Sequence, residues 1–304
     1  MKCIFIVNPV AGKSDPFERY GDAIKAACEK NELTYLFRKT EGRGHAAELA
    51  ASFAAVATET EPVRIFSVGG DGTLSEVLRG VCGRPHCELG CIPAGSGNDY
   101  IKTHGKAEAF LDLEHYITAA SVPVDVIQAG EKLSLNICSL GLDAMICDKA
   151  NRIKEKHKRL SGTAAYDLAA LTCFFGKLYN SLKVTIDDDE VFKGKFVFSI
   201  AANGQVYGSG YRAAPYADPS DGLLDFILIK KISHLSVPYL IGQYKSGEHW
   251  NSPSFRKILI KRQGKRMKVE AKKPVILNID GECEPVTEAT MELLPAAVRF
   301  VVPG

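Results

Sequence analysis

Three glycine-rich turns constrain this chain more than any other feature: "NPVAGK" at 8–13, "GGDGTLSEV" at 69–77 and "PAGSGND" at 93–99. Each closes a short apolar run, Cys3 to Val7, Val63 to Val68 and Leu89 to Ile92. Apolar runs of that length, bounded by turn residues, read as strands buried on both faces. Helical signals follow the first two. Asp15 and Pro16 look like an N-cap and first helical residue, and Phe17, Tyr20, Ile24, Ala27 and Cys28 then recur at helical spacing. Leu74 to Val81 is helical again. With Leu33 to Phe37 as a strand and the alanine-rich stretch His45 to Ala57 as a helix, the order is βαβα. That order predicts a parallel sheet covered on both faces, with ligands bound beyond the carboxyl ends of its strands. The three turns then converge along one sheet edge.

What the turns can hold differs. A P-loop needs glycine five residues before Gly12, where Val7 stands, and Pro9 has no N–H to offer a phosphate. The first turn is therefore not a P-loop; Asn8 is free to hydrogen-bond and Lys13 is a point charge of open orientation. In the second turn consecutive glycines let backbone approach a pyrophosphate at a helix N-terminus, but Ser75 occupies the last glycine position of a dinucleotide fingerprint. Asp71 is the informative residue. A carboxylate aimed into a phosphate cradle repels its ligand unless a cation lies between, which points to Mg²⁺. The third turn adds the Ser96 hydroxyl and the Asn98 amide.

From about Val124 the texture changes to short β-rich runs: Val124–Ala129, Leu133–Leu140, Leu182–Ile186, Val191–Ala202, Leu223–Ile229, Phe255–Lys261, Met267–Ala271 and Val275–Asp280. One helical insertion, 162–182, interrupts them. The expected fold class is an α/β N-terminal domain with a parallel sheet, residues 1–123, plus a mostly antiparallel β-rich domain, residues 124–287, with a cleft between. Residues 288–304, through Val298–Val302, can return to complete the first domain. A length of 304 residues at 46% hydrophobic content suffices for two cores. A formal net charge of only +2 argues against a protein defined by nucleic-acid binding. The run after Met1 is too short for a signal segment, no stretch approaches a membrane span, and nine scattered cysteines suit reduced thiols, so a cytoplasmic setting is expected. Cys82, His86, Cys87 and Cys91 cluster without a zinc-site spacing and read as small buried thiols.

At this point the residues resemble a known family, the bacterial soluble diacylglycerol kinases and their sphingosine and ceramide kinase relatives. The resemblance rests on "NPVAGK", "TEGRGHAAELA" at 40–50, "GGDGTLSEV", "PAGSGND", "ADPSDGLLD" at 217–225 and "NIDGE" at 278–282, in the family's order along nearly the whole chain. The GGDGT string alone is shared with NAD kinases. The third turn and the late "DGE" narrow it to lipid kinases.

The resemblance implies ATP as phosphate donor, Mg²⁺, and the site residues one by one. Nucleotide would lie against Asn8, Pro9, Val10, Ala11 and Gly12, Thr40, the second turn (Gly69, Gly70, Asp71, Gly72, Thr73, Leu74, Ser75, Glu76), Gly95 and Ser96. Asp71 and Asp125 match acidic residues around the catalytic magnesium, and Glu282 matches the general base. Asp218, Asp221 and Leu223, the outer two through backbone carbonyls, match a separate structural magnesium site. Read by itself, "NIDGE" is a hairpin turn, since Asp-Gly is a strong hairpin signal; a turn can also project Glu282 toward an acceptor.

The implied acceptor is a lipid hydroxyl, with peripheral contact to an anionic membrane surface, no nucleic acid, and room for a homodimer. Basic runs at 149–159 and at 256–273, the latter with nine Lys or Arg against Glu270, fit such contact. The apolar helix over 162–182 is either core or an acyl-chain wall. Two rival readings stand beside this one: a kinase with a soluble acceptor, as in the NAD kinases, and a nucleotide-binding sensor without catalysis.

Overall fold

The computed structural model describes residues 1–157, 162–208 and 210–304. These divide into two compact units, each with its own core. The first unit holds Met1–Val126, Pro219–Gly222 and Leu294–Gly304. Its elements are β1 (Lys2–Val7), α1 (Pro16–Lys30), β2 (Thr34–Lys39), α2 (His45–Ala55), β3 (Val63–Gly69), α3 (Asp71–Val81), β4 (Cys87–Pro93), the short α4 (Ala107–Leu111) and α5 (Leu113–Tyr116), and most of β5 (Ser121–Ala129). β1 pairs in parallel with β2 and β3, and β3 with β4. The C-terminal strand adds alongside β4 through Arg299 and Phe300.

Why β1 and β3 are central follows from their burial. Cys3 to Val7 are each fully buried, and β3 is buried along its whole length, so both faces are covered. In-register pairing sets Phe5 beside Phe37 and Phe66, whose rings stack on it at 5.3 and 5.0 Å. Asp15 caps α1 by accepting the Phe17 N–H at 2.8 Å, and Pro16 occupies the first turn.

The second unit holds Ile127–Asp218 and Leu223–Leu293. Its further elements are β6 (Lys132–Ser134), β7 (Ile137–Gly141), α6 (Leu142–Lys156), α7 (Gly162–Phe174), β8 (Asn180–Ile186), β9 (Glu190–Ala202), β10 (Leu224–Lys230), α8 (Val237–Ser246), β11 (Leu259–Gly264), β12 (Arg266–Ile279) and the first part of β13 (Glu282–Val301). All these pairings are antiparallel. β9 and β12 are long, and each pairs with β8 along its outer half and with β7 along its inner half. The four strands thus close a ring around Leu182, Val184, Met267 and Leu277.

Several elements differ from the sequence reading. The helix expected over 162–182 ends at Phe174, because Gly176 turns the chain and residues from Asn180 pair as β8. α6 directly follows β7, where the sequence suggested only a basic run; residues 158 and 159 of that run lie outside the described residues. α8 also went unread, although Pro238 in its first turn and Gly247 at φ +86° after its end are ordinary start and stop signals. The two runs expected at 267–271 and 275–280 form one strand, β12, with a register shift between Glu270 and Val275. Among the described residues, no helix is long and apolar enough to cross a membrane.

Candidate functional site

The three turns meet in the first unit around a cavity of about 550 Å³. Its lining comes from the first turn (Asn8 to Gly12), from Thr40 to Arg43, and from Gly70 to Thr73 with Glu76. The third turn adds Gly95 to Gly97. Backbone packs directly on backbone. A Cβ on Gly95 would stand 2.5 Å from the Gly70 Cα, and one on Gly12, at φ +78°, would run into the Ala94 carbonyl. Such proximity leaves no room for a side chain at either glycine.

Side chains fix the turns to one another. Asn8 donates from Nδ2 to Thr73 Oγ1 at 3.1 Å while its Oδ1 accepts the Val10 N–H at 3.2 Å. Asn98, buried and held at φ 46°, donates to the Gly69 carbonyl at 3.0 Å and accepts the Gly95 N–H at 2.9 Å. It is the bolt between the second and third turns, and its role is visible only once the two turns are adjacent.

Asp71 opens α3, so its carboxylate sits at a helix N-terminus and lines the cavity. Oδ1 accepts the Asp99 N–H at 2.8 Å. Burial, and then the neighbouring Asp99 carboxylate, push the Asp71 carboxyl above its ordinary range. Lys102 offsets part of that repulsion by pairing with Asp99 at 2.6 Å. Asp99 is buried and Asp71 half-buried, and of the two only Asp71 lines the cavity. Among the described residues, no group of three or more His, Cys, Asp or Glu side chains gathers to cage a divalent cation. A single carboxylate completed by water and phosphate oxygens is the usual magnesium arrangement.

The remaining site residues sort by position. Glu76 lines the cavity, yet its two oxygens accept the Gly44 N–H at 2.9 Å and the Ala46 N–H at 3.2 Å, capping α2. Gly69, Leu74 and Ser75 stand behind the lining, with Leu74 and Ser75 buried in the first turn of α3. Lys13 is exposed and does not line the cavity. Arg43, which sequence reasoning passed over, is the one cation among the described lining residues. Its signal was present in the "TEGRG" string, where a lone arginine sits between glycines just after a strand.

In the second unit "NIDGE" forms the turn between β12 and β13. Asp280, at φ 46°, accepts the N–H groups of Leu135 and Ile137, both at 3.0 Å. Asn278 accepts the Gly281 N–H at 2.9 Å, and Asn151 on α6 donates to the Gly281 carbonyl at 3.1 Å. The motif's first and third residues therefore build the turn, and Glu282 is the side chain it presents. Lys132 stands 3.8 Å from Glu282 and 2.7 Å from Glu284.

The matches to known proteins divide as the fold does. The diacylglycerol kinase catalytic domain matches residues 2–129, and the YegS C-terminal NAD kinase beta sandwich-like domain matches residues 136–302. The chain belongs to the YegS and diacylglycerol kinase family of lipid kinases. A Shewanella frigidimarina protein named "Probable lipid kinase YegS-like" is 28% identical over 246 residues, 79% of this chain and 76% of that one. A Mycobacterium tuberculosis protein named "Diacylglycerol kinase" is 28% identical over 260 residues, 80% of each chain. A crystal structure of a diacylglycerol kinase from Bacillus anthracis shares the fold, with a TM-score of 0.72 at 21% identity over 99% of this chain and 96% of that one.

Within this lipid kinase, Asp125 and the 218–223 turn do not line the cavity. Asp125 is buried; Oδ1 accepts the Ala296 N–H at 2.7 Å and Oδ2 the Gly222 N–H at 2.9 Å, while its own N–H donates to the Pro219 carbonyl at 2.7 Å. The structure thus gives Asp125 the work of a brace and does not bring it to Asp71's cavity. Asp218, Asp221 and Leu223 fall within one short turn. Its two carboxylates and backbone carbonyls are hard oxygen donors of the kind magnesium takes.

Proposed function

We propose that this chain is an ATP-dependent lipid kinase that phosphorylates the hydroxyl of diacylglycerol or a similar lipid alcohol, giving phosphatidic acid or its analogue. The observation that carries the reading is the cavity of three backbone turns with the Asp71 carboxylate at its edge. Glu41, Asp71 and Glu76 outnumber Arg43 in its lining, so a polyphosphate enters only with a divalent cation. Mg²⁺, when bound, neutralises charge on the transferring phosphoryl group.

The chain's own residues supply positioning. Turn N–H groups hold phosphate oxygens, Asn8 fixes the Thr73 hydroxyl, and Asn98 keeps the turns in register. Glu282, on a turn braced by Asp280 and Asn278, accepts the proton of the lipid hydroxyl late in a loose transition state. Asp218, Asp221 and the Leu223 carbonyl are proposed to hold a second, structural Mg²⁺. The acceptor lies in a bilayer, so the reading entails peripheral contact with a membrane.

The test is transfer of labelled phosphate from Mg-ATP to diacylglycerol in mixed micelles. Glu282→Gln is expected to slow transfer by about 10²-fold or more while nucleotide binding persists, the usual loss for a general base. Phosphate appearing only on NAD or another soluble acceptor refutes the lipid reading.

A further inference from the structure

We propose that the surface joining the end of α7, the start of β8 and the exit of β10 is a docking face for an anionic phospholipid bilayer. The proposal deepens the membrane contact entailed above and rests on that reading, but its residues lie outside the cavity and the Glu282 turn.

Its centre is Tyr179. The ammonium groups of Lys177, Lys195 and Lys231 lie 5.0, 5.4 and 4.9 Å from this one ring centroid. All three lysines are exposed, and none has a carboxylate partner among the described residues. Several other cations of the unit are paired: Lys183 with Glu270, Arg262 with Glu190, Arg266 with Asp188 and Lys268 with Glu288, at 2.5 to 2.8 Å. Within the basic run at 256–273 this pairs Arg262, Arg266 and Lys268, three of its nine basic side chains. The lysine crown, which the sequence scatters over 55 positions, keeps its charge. Three like charges converging on one ring repel each other, and a bound anion relieves that repulsion.

Apolar side chains flank the crown. α7 is apolar nearly all round, yet among its described side chains only Ala165, Ala169 and Cys173 are buried, one stripe at helical spacing. Away from that stripe Leu171 is 57% and Phe175 77% exposed. His234 lies 2.9 Å through Nε2 from the Gly176 carbonyl and packs edge-on to Phe174, which seats Leu235, 92% exposed, beside the end of α7. Large apolar tips beside unpaired ammoniums match a headgroup layer over hydrocarbon. A nucleic acid or a free phosphate would meet the lysines and leave Phe175 and Leu235 in water.

The test is sedimentation with vesicles of phosphatidylglycerol and phosphatidylcholine, without ATP. The Lys177→Gln/Lys195→Gln/Lys231→Gln variant is expected to bind about 100-fold more weakly, roughly fivefold for each lysine near an anionic surface. Phe175→Ser/Leu235→Ser is expected to lose the part of binding that survives about 1 M salt, where screening falls to ~3 Å. Thermal melts establish that both variants fold. Unchanged vesicle binding in the lysine variant overturns the proposal. So does loss of vesicle binding to competing RNA together with no effect of the serine variant. Phosphorylation of a short-chain diacylglycerol dissolved as monomer separates the two readings. Both variants should retain the parent rate on it, whereas a parent that docks but phosphorylates no lipid refutes the kinase reading alone.

Discussion

Asn98 offers the sharpest test of how the three turns are held. Its side chain makes two hydrogen bonds with backbone, to the Gly69 carbonyl and from the Gly95 N–H, beside a long, weak one to Cys91 Sγ at 3.9 Å, and its backbone sits at φ 46°. Truncation to alanine removes both bonds. The groups left behind are not orphaned, because Gly69 O also accepts from Ala94 N at 2.8 Å and Gly95 N also reaches Gly69 O at 3.2 Å. The loss is therefore the net worth of two bonds, about 0.5–1.5 kcal/mol each, without a full desolvation penalty. Left-handed backbone adds about 1–2 kcal/mol for alanine, a cost that asparagine reduces by local hydrogen bonding. Asn98→Ala should therefore destabilise the first unit by about 2–5 kcal/mol, a large share of the ~5–15 kcal/mol that holds a domain folded. Asn98→Gly keeps the conformation and should recover the strain component, roughly 1–2 kcal/mol.

The chain supplies its own control. Its single tryptophan, Trp250, lies in the second unit, so urea denaturation read by Trp250 fluorescence reports that unit, while hydrogen exchange of β3 and β4 amides reports the first. Asn98→Ala should lower protection of β3 and β4 and weaken Mg-nucleotide binding, with the Trp250 midpoint unmoved. A loss below about 1 kcal/mol, or equal losses for alanine and glycine, refutes the argument from bonds and backbone strain.

Asp71→Asn should abolish phosphoryl transfer yet stabilise the nucleotide-free protein at neutral pH. Burial, helped by Asp99, places the folded pKa of Asp71 above the unfolded one, so the folded chain keeps its proton longer; stability is greatest below the ordinary carboxylate range and falls as pH rises through the folded value. Melting temperature against pH should show that fall in the parent and a smaller one in the variant. Asp280→Ala removes the acceptor of two backbone N–H groups and should lower the stability of the second unit by about 2–4 kcal/mol, this time read by Trp250 fluorescence. Burial pushes the Cys3 thiol up to about 11. At pH 8 its thiolate fraction is then about 0.1%, so alkylation of Cys3 in the native protein should run over 100-fold slower than in urea.

How far the sequence could be read follows from where each signal is stored. The turns, the strands before them and the capping of α1 are local: Asp15, Pro16 and the apolar run to Val7 lie within a few residues of what they determine. Glu76 shows the limit. Its place in the "GGDGTLSEV" string implied nucleotide contact, but its carboxylate caps α2 about thirty residues away, a fact of packing that spacing does not encode. Asp125 and Asn98 fall on the same side, since their partners lie on segments that only the folded chain brings together. The charge pattern shows the same limit. A dense run at 256–273 is the strongest basic signal in the sequence, yet adjacent strands carry Glu190, Asp188 and Glu288 to Arg262, Arg266 and Lys268 and neutralise those three. Lys177, Lys195 and Lys231 give no run at all and still converge on Tyr179. Charge that matters to a partner is the charge left after strand pairing. In a β-rich unit it is therefore set by register rather than by composition.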